Sequence, residues 1–557
     1  MKSRVVVGLL LLVAACTGDG ETGGGTDAPG GSDPGSTEAT TDGSPATAGE
    51  SGDMTCWTAP PGGGESAISF SDQTEAMGLV TPLVGMYGHA AVWGDFTGDH
   101  RPDLFMGTFA DREPSIYQVR GADGAAPDRL LLSAEGGFTL DDRLADMFAR
   151  TSGGAVADLD NDGDLDLVVS RNFDDDMPAA PGVQVLRNDD GGLTATTESG
   201  LPVQLGGRSV GVLDFDLDGL LDLFVTSDDG GSVLLRNEGG LVFADATAAA
   251  GLPGDIFGLG VATGDVSGDG LQDIFVAGSN RLFVSNGPGS FTAADSSVFT
   301  WQFFGEEDLI SGASIADVNR DGLLDIAVGH HFNSTVDEGA SVPVRLYLNR
   351  GDNGFEDVTE AAGLVGLPTK GPHVELNDMD NDGWPDLVVT ASTAGGTRPA
   401  VFRHTGLEGD MPTFSAPEGM GSPQYWVAGP TADIDRDGRL DVFLVEFDPA
   451  LPSLMLRNET ASGHWLEVSV GSEFGSGLGW RVEVYEVGAA GDMSALLGAR
   501  EITTTQGYSS GVAPVAHFGL GETERVDVRL VAPGESDPVV LEDVGADQRL
   551  RYPAGCG

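Results

Sequence analysis

Aspartate residues at alternate positions of a short loop form the most informative pattern in this sequence. The pattern D-x-[DNST]-x-D-G-x-x-D recurs seven times, with one departure at its sixth position. Its copies begin at Asp95, Asp158, Asp214, Asp265, Asp317, Asp378 and Asp433. Side chains at positions 1, 3 and 5 of a curling loop direct several oxygens at one centre, as a hard cation such as calcium requires. We therefore predict up to seven calcium sites, one in each loop.

Each loop offers oxygen ligands from four side chains and from the backbone carbonyl at position 7. The predicted sets, with the carbonyl donor fourth in each, are Asp95, Thr97, Asp99, Arg101 and Asp103; Asp158, Asp160, Asp162, Asp164 and Asp166; Asp214, Asp216, Asp218, Leu220 and Asp222; Asp265, Ser267, Asp269, Leu271 and Asp273; Asp317, Asn319, Asp321, Leu323 and Asp325; Asp378, Asp380, Asp382, Trp384 and Asp386; and Asp433, Asp435, Asp437, Arg439 and Asp441. The first loop has His100 where the other six have glycine. Because a positive φ is expected there, we expect the first site to be the weakest.

The composition of the loops disfavours an EF-hand, a zinc or magnesium site, and a plain acidic turn. An EF-hand needs a bidentate glutamate at position 12 and flanking helices, whereas position 12 is apolar in all seven copies. Zinc prefers histidine and cysteine, and magnesium prefers few carboxylates and retained waters. A single loop of this kind could also be an acidic turn that satisfies its own backbone. Seven loops in register favour calcium over that alternative.

Short apolar strands surround each loop. One strand follows the ninth position, as in Leu167-Val168-Val169, and a second ends in an asparagine turn, as in Val185-Leu186-Arg187-Asn188. Repeats of about 50 to 60 residues with several short strands are typical of propeller blades. We therefore predict an all-β fold, with a seven-bladed β-propeller over residues 57–460 and a smaller β domain over residues 461–557. A right-handed β-helix is the alternative, but its coils are much shorter.

The N-terminal segment carries targeting signals. Lys2 and Arg4 precede a short apolar run that ends in Ala14-Ala15-Cys16, which indicates a signal peptide over residues 1–15 rather than a membrane span. The small residues before Cys16 favour lipidation of that cysteine over ordinary secretion. Residues 16–56 are rich in Gly, Ser and Thr, and we predict a disordered acidic tether.

Two further cysteines lie near the two ends of the predicted folded region. Cys56 and Cys556 could form one disulfide in an oxidising envelope. The alternative is two unrelated free thiols, which an oxidising compartment makes less favourable.

The charge of the chain excludes one class of partner. With 28 basic and 87 acidic residues, the formal net charge is -59, so no nucleic acid is expected to bind. Such self-repulsion opposes a compact state unless cations relieve it. The charge therefore agrees with several metal sites.

Two further motifs have simpler structural interpretations. Adjacent His330 and His331 follow a predicted strand and are interpreted as loop residues rather than a metal pair. Arg350-Gly351-Asp352 spells an adhesion tripeptide, but it lies in the turn after a blade asparagine. No nucleophile elbow and no phosphate loop is present. We predict no catalytic residues.

The seven loops resemble the FG-GAP or VCBS repeats, bacterial relatives of the integrin α-subunit propeller. The segment Gly463-His464-Trp465-Leu466-Glu467-Val468 and the later His517-Phe518-Gly519-Leu520-Gly521 are similar to the ASPIC and UnbV domain. Two positions depart from that domain, since Trp480 replaces a small residue and Val531-Ala532-Pro533-Gly534 replaces Trp-Pro-Ser-Gly. The pairing also occurs in proteins similar to the secreted cartilage acidic protein.

This resemblance implies an extracellular, calcium-binding role and no settled catalytic activity. We therefore expect a lipid-anchored protein of the bacterial cell envelope, at the outer membrane or cell surface, whose only contact with the membrane is the N-terminal lipid. Its expected function is adhesion through a protein or glycan ligand, with calcium mainly structural. The alternative is an envelope enzyme with an active site at the mouth of the propeller channel, acting on polysaccharide or quinone substrates.

Overall fold

A computed structural model describes residues 68–172, 182–189, 191–196, 199–201, 205–300, 308–332, 344–364, 366–367, 369–392, 399–417, 425–471 and 476–553. They lie in one compact unit that extends from Met54 to Gly557. Cys16, Cys56 and Cys556 lie outside the described residues, as do the predicted signal peptide and tether. The lipid anchor and the disulfide therefore stay predictions.

Seven successive antiparallel sheets follow one another along the described chain, and we interpret them as the blades of the propeller. In each, an inner strand leads through an aspartate loop into the second strand. The strands, sheet by sheet, are β2 (Gly88–Gly94), β3 (Asp103–Thr108), β4 (Arg129–Ala134) and β5 (Gly137–Asp141); β6 (Thr151–Ala157), β7 (Asp166–Arg171), β8 (Val183–Arg187) and β9 (Thr194–Ala195); β10 (Val210–Leu213), β11 (Asp222–Val225), β12 (Val233–Asn237) and β13 (Phe243–Asp245); β14 (Gly258–Gly264), β15 (Asp273–Gly278), β16 (Arg281–Ser285) and β17 (Phe291–Ala293); β18 (Asp308–Ala316), β19 (Asp325–Phe332), β20 (Arg345–Asn349) and β21 (Phe355–Asp357); β22 (Val374–Asn377), β23 (Asp386–Ser392) and β24 (Pro399–Phe402); and β27 (Thr431–Ala432), β28 (Asp441–Leu444) and β29 (Leu454–Asn458).

The seventh sheet takes its outer strand from the other end of the chain. Strand β1 (Phe70–Asp72) pairs antiparallel with β29, with Phe70 opposite Asn458. The Phe-x-Asp sequence of β1 recurs in the outer strands β13 and β21. The N-terminal copy of this motif therefore closes the ring instead of opening the first blade. The sixth sheet is followed by a separate hairpin, β25 (His404–Glu408) and β26 (Met411–Phe414).

Apolar side chains fill the space between each pair of neighbouring sheets. Trp93, Leu104 and Leu131 of the first sheet pack with Phe443 and Met455 of the seventh in one buried cluster. Equivalent clusters join the first sheet to the second and every later pair. Burial of apolar area at about 25 cal/mol per Å² makes these clusters the main source of stability. Helical structure in the described chain is short: α1 (Pro114–Tyr117) and 3₁₀ turns at Asp142–Leu144, Ser297–Phe299 and Met493–Ala495.

A buried side chain at the end of the third strand joins each of several blades to the blade before it. The amide of Asn237 donates to the carbonyl of Leu159 in the preceding loop, at 2.8 Å, and to the carbonyl of Leu221 in its own loop, at 3.1 Å. Asn188, Asn349 and Asn458 make the same two contacts in the second, fifth and seventh sheets. In the sixth sheet His404 Nε2 takes this place, 3.1 Å from the carbonyl oxygen of Val318.

The C-terminal segment forms two sheets of its own. One contains β30 (His464–Val470), β34 (Ala516–Gly521) and β37 (Gln548–Tyr552). The other contains β31 (Arg481–Glu486), β32 (Leu496–Glu501), β35 (Arg525–Val531) and β36 (Val539–Gly545). The apolar core between them, with Leu466, Val482 and Val528, is continuous with the core between the second and third blades.

A loop of this C-terminal sandwich fills the channel of the propeller. Residues 502–512 reach inward, and β33 (Ser510–Gly511) pairs in parallel with inner strand β2. Hydrogen bonds to four blades hold this channel loop: Ser509 O accepts from Ala91 N (3.2 Å), Thr505 Oγ1 donates to Val210 O (3.1 Å), Gly507 N donates to Ala313 O (2.8 Å) and Tyr508 N donates to His373 Nδ1 (3.2 Å). Hydrogen bonds of the channel loop therefore join the C-terminal sandwich to four blades of the propeller.

We predict that Asn237→Ala lowers the free energy of unfolding by about 2–4 kcal/mol, since it leaves two buried carbonyls without donors. Chemical denaturation followed by circular dichroism measures the change. The exposed neighbour Glu238 provides the control, and Glu238→Ala is expected to change stability by about 0.5 kcal/mol or less. Equal stability of the two variants would contradict a role for the asparagine in joining the blades.

Candidate cation sites in the aspartate loops

Carboxylate oxygens converge in four of the seven predicted loops. In these loops one oxygen from each of three aspartates lies within 4.8 Å of the other two. The groups are Asp158, Asp160 and Asp162; Asp214, Asp216 and Asp218; Asp378, Asp380 and Asp386; and Asp433, Asp435 and Asp441. In the other three loops position 3 is Thr97, Ser267 or Asn319, so a neutral oxygen stands where the third acid would be.

The backbone of each loop curls around its own aspartates. Asp158 accepts hydrogen bonds from the N–H groups of Asp162 and Gly163, both at 3.1 Å, and Asp162 accepts one from Asp164 N at 3.1 Å. The N–H at position 7 donates to the carboxylate at position 5 in all seven loops. The loops therefore hold their shape through the chain's own polar groups.

Two positions in each loop have left-handed backbone. At position 6 the glycines have φ between 82° and 105°, and His100 adopts the same conformation at φ 64°. The expected positive φ at this position is confirmed. Position 4 is also left-handed, as at Asn161 (φ 57°) and Leu217 (φ 56°). The residue types at position 4 are consistent with this conformation in several loops. Glycine and asparagine tolerate left-handed backbone, and position 4 is Gly98, Gly268, Asn161 or Asn381 in four of the loops.

The aspartate at position 9 is buried and accepts two backbone hydrogen bonds. Asp222 accepts from Phe215 N in its loop, at 3.2 Å, and from Asn237 N on the third strand, at 2.7 Å. All seven loops share this pair of acceptor contacts. Burial raises the pKa of Asp166 and Asp222 to about 8, against the lowering effect of these N–H donors. Position 9 therefore fixes the loop to the sheet, whether or not it also contacts a cation.

The aspartate at position 3, in contrast to that at position 9, has a buried oxygen without a hydrogen bond from the described residues in four loops. Atom Oδ1 of Asp160, Asp216, Asp380 and Asp435 is buried and has no hydrogen-bond partner among the described residues. An unsatisfied buried carboxylate oxygen is costly, and a metal ion is one of the groups that can satisfy it. These four oxygens belong to the same four loops in which three acids converge. The donor set, all oxygen and mostly anionic, fits calcium.

An arginine on the third strand faces most of these loops. Arg187 Nε lies 2.9 Å from Asp160 Oδ2, and Arg236 Nε lies 2.6 Å from Asp216 Oδ2. Arg403 pairs with Asp380 and Asp382, and Arg457 lies 3.6 Å from Asp435. Each guanidinium neutralises the Oδ2 side of the position-3 carboxylate, so Oδ1 is the oxygen left for a cation.

The C-terminal sandwich covers the loop face of the propeller. Arg549 Nη2 lies 3.1 Å from Asp433 Oδ2 in the seventh loop, and Asp265 N in the fourth loop donates to Glu501 Oε2 at 2.7 Å. His517 Nε2 lies 2.8 Å from Asn381 Oδ1 in the sixth loop. No local pattern in the sequence indicates these contacts. The aspartate loops thus form much of the interface with the sandwich.

A serine, a histidine and a glutamate meet inside the channel, the region of the alternative enzymatic site. Ser510 Oγ lies 3.1 Å from His373 Nδ1, and His373 Nε2 lies 3.2 Å from Glu375 Oε1. The Ser510 hydroxyl donates to the carbonyl of Gln506, and His373 Nδ1 already accepts from Tyr508 N. His373 and Glu375 are 0% exposed. We assign these groups to anchoring the channel loop, because they are buried and His373 bonds to Tyr508 and Ser510 of that loop.

The histidine pair and the Arg-Gly-Asp tripeptide both make contacts within the fold. Arg350 forms ion pairs with Glu356 and Asp410, each at 2.8 Å, in the turn after β20. His330 and His331 belong to strand β19 instead of a loop, so that expectation was wrong. His330 is buried, and His331 Nε2 lies 3.2 Å from Lys370 Nζ.

Position 6 of the loops gives a matched pair of substitutions. We predict that Gly163→Ala destabilises the protein by about 1–2 kcal/mol, since it places a side chain at φ 105°. His100→Gly, at the equivalent position of the first loop, is expected to leave stability unchanged or raise it by up to about 1 kcal/mol. Urea denaturation at saturating calcium measures both changes. A similar loss in the two variants would show that the backbone conformation does not govern this position.

Comparisons with known proteins agree with these features. The model of the FG-GAP-like repeat matches residues 158–225, 214–276, 265–328, 334–389 and 378–444, and the ASPIC and UnbV model matches residues 472–554. The first loop lies outside the matched repeats, in keeping with its departure at His100. Among the described residues, no helix combines the length and hydropathy of a membrane span.

Individual relatives match parts of the chain. Cartilage acidic protein 1 of Mus musculus is 28% identical over 389 residues, which cover 64% of this chain and 56% of that protein. Integrin alpha-4 of Xenopus laevis is 33% identical over 148 residues, covering 24% of this chain and 14% of that protein. The GH74 xyloglucanase from Xanthomonas campestris has a TM-score of 0.41 and 13% identity over 86% of this chain and 68% of that chain. The chain spans about half the length of the cartilage acidic proteins it matches. Because the repeat matches together cover about half of its residues, this chain belongs to the FG-GAP-like repeat family and carries an ASPIC and UnbV domain after the repeats.

Proposed function

We propose that this protein is a calcium-stabilised binding module of the bacterial cell envelope, anchored by lipid at Cys16. Calcium holds the aspartate loops, and the module binds a protein or glycan ligand through other surfaces of the propeller. The similarity to integrin alpha chains supports an adhesion type of function. No catalytic step is part of this proposal.

One observation carries the calcium assignment. In four loops the position-3 carboxylate keeps one oxygen buried without a hydrogen bond from any described residue, while its other oxygen has an arginine partner in all four. Burial of such an oxygen opposes folding unless a cation compensates it. Asp160, Asp216, Asp380 and Asp435 would therefore be the central ligands. The fourth, fifth and first loops have a neutral position 3, so we expect weaker binding there.

The charge of the whole chain supports the same assignment. A formal net charge of -59 favours expansion of the chain. Each bound divalent ion would neutralise two negative charges in the aspartate loops. Binding to the native state alone adds RT ln(1 + [Ca]/Kd) to stability, about 2.7 kcal/mol per site at 100 times Kd. Calcium is thus proposed to be structural first.

The position of the C-terminal sandwich limits where a ligand can bind. The sandwich packs on the aspartate loops and fills the channel with residues 502–512. We therefore place ligand contacts on the rim of the blades or on the opposite face. Calcium then acts on ligand binding through the shape of the blades, not by bridging protein and ligand.

Calcium binding is tested by calorimetry and thermal melting of chelator-treated protein. We expect calcium to raise the melting temperature by several degrees and magnesium to have a much smaller effect. Asp160→Asn and Asp380→Asn should each remove one binding event, while the exposed Asp255, with 87% of its side chain accessible, serves as control in Asp255→Asn. An unchanged melting temperature and no heat of binding on calcium addition would refute the proposal.

The pH dependence of calcium binding follows from the burial of the same carboxylates. Burial raises the pKa of Asp158 and Asp214 to about 6 and of Asp166 and Asp222 to about 8. Protons therefore compete with calcium, and binding releases protons. We expect the apparent affinity to fall as the pH is lowered from about 8 to about 6, as measured by titration calorimetry in buffers of different ionisation enthalpy. A constant affinity with no proton release would contradict the role of these carboxylates.

A further inference from the structure

A cavity of about 250 Å³ lies between the propeller and the C-terminal sandwich. Its propeller side includes Arg101 of the first loop and Arg436 of the seventh, and its sandwich side includes Arg549 and Arg551 of strand β37. Residues 549 and 551 alternate on one strand and so share a face. Four guanidinium groups thus border one space in a chain with only 28 basic residues against 87 acidic ones.

Among the described residues, one of these four arginines forms ion pairs. Arg549 pairs with Asp433 and with Glu467, each at 3.1 Å. Arg101, Arg436 and Arg551 form no salt bridge within the described part of the chain. Desolvation lowers the pKa of Arg436 and the charges of Arg549 and Arg101 lower it further, while the charges of Glu467 and Asp433 oppose this effect. Arg101 and Arg436 therefore repel each other across this space.

Three acids line the cavity against its four arginines, and each of these acids has other partners in the fold. Asp433 and Glu467 are the partners of Arg549. Asp95 accepts hydrogen bonds from Asp99 N and His100 N in its own loop, at 3.1 and 2.7 Å. His517 also lines the cavity, and burial lowers its pKa to about 3, so it stays neutral.

Part of the remaining wall of the cavity is apolar, beside polar residues such as Thr431, Ser469 and Gln506. Leu165 belongs to the second loop, and Val512 and Pro514 lie at the end of the channel loop. Arg101, Arg436 and Arg551 are half-buried. A molecule in this space would meet both guanidinium groups and aliphatic carbon.

We propose that this cavity binds a small organic anion, whose oxyanion group lies among Arg101, Arg436 and Arg551 and whose apolar body contacts Leu165 and Pro514. Guanidinium groups match carboxylate and phosphate oxygens in bidentate geometry, which favours such a group over a halide. Because the cavity lies between the two parts of the fold, the anion also stabilises their interface. The site shares residues with the first and seventh aspartate loops, so it is tested with those loops saturated with calcium.

The test uses the full chain at saturating calcium, with benzoate and phenyl phosphate as probes. Benzyl alcohol is the neutral analogue, and inorganic phosphate lacks the apolar body. We expect the two organic anions to bind and to raise the melting temperature, inorganic phosphate to bind more weakly, and benzyl alcohol not to bind. Equal binding of the neutral analogue, or no heat with either organic anion, would overturn the proposal.

Variants separate a binding role from a structural one. Arg436→Gln and Arg551→Gln should each weaken binding of phenyl phosphate by about tenfold, the effect of one lost charge-assisted hydrogen bond. Since Arg436 and Arg551 form no salt bridge among the described residues, neither substitution should lower the melting temperature of the anion-free protein. Arg281→Gln, on β16 of the fourth sheet, is the control, and its affinity should stay within about twofold of the native value. Unchanged affinity in both cavity variants, or a lower melting temperature with full affinity, would contradict the assignment.

Discussion

The buried carboxylate at position 9 of each loop is the interaction on which the rest of this structure depends. It accepts one N–H from its own loop and one from the third strand, as Asp441 does from Ile434 and Asn458. In the second, third, fifth and seventh sheets the same residue is an asparagine, whose side-chain amide donates to the loop of the preceding blade. In these repeats one acid therefore fixes the shape of a loop, its attachment to the sheet and the contact with the preceding blade. An unpaired buried acceptor would be costly, so these three features are formed together.

The loops have two structural roles at once. Their carboxylates form the candidate cation sites, and their outer surfaces carry the C-terminal sandwich through contacts such as Glu501 with Asp265 and His517 with Asn381. The channel loop extends this attachment into the centre of the ring, where its backbone bonds to several blades. The repeats and the sandwich therefore share one polar network as well as one apolar core.

Local features of this fold were readable from the sequence, and distant ones were not. The repeat of the aspartate loops, the strands that follow them and the left-handed conformation at position 6 depend on residues close together in the chain, and the structure has them. The pairing of Phe70 with Asn458, and of Ser510–Gly511 with β2, joins segments far apart in the chain. A single sequence does not specify such register, because the strands involved are very short. The sequence predicts Asp222 at position 9 only as a metal ligand, since the N–H groups whose hydrogen bonds it accepts come from the folded backbone.

The closure of the ring by β1 has a mechanical consequence. Tension applied to the chain ahead of Phe70 acts first on the hydrogen bonds of Ser69 with Glu459 N and Thr460 Oγ1, and then on three residue pairs between β1 and β29. The neighbouring strand β29 ends at Asn458, which is tied to the seventh loop through Asp441. The short β1–β29 pairing would therefore resist a pull from the N-terminal side, and the seventh aspartate loop supports β29 in that pairing. The force needed to open the ring would rise with the rigidity of that loop.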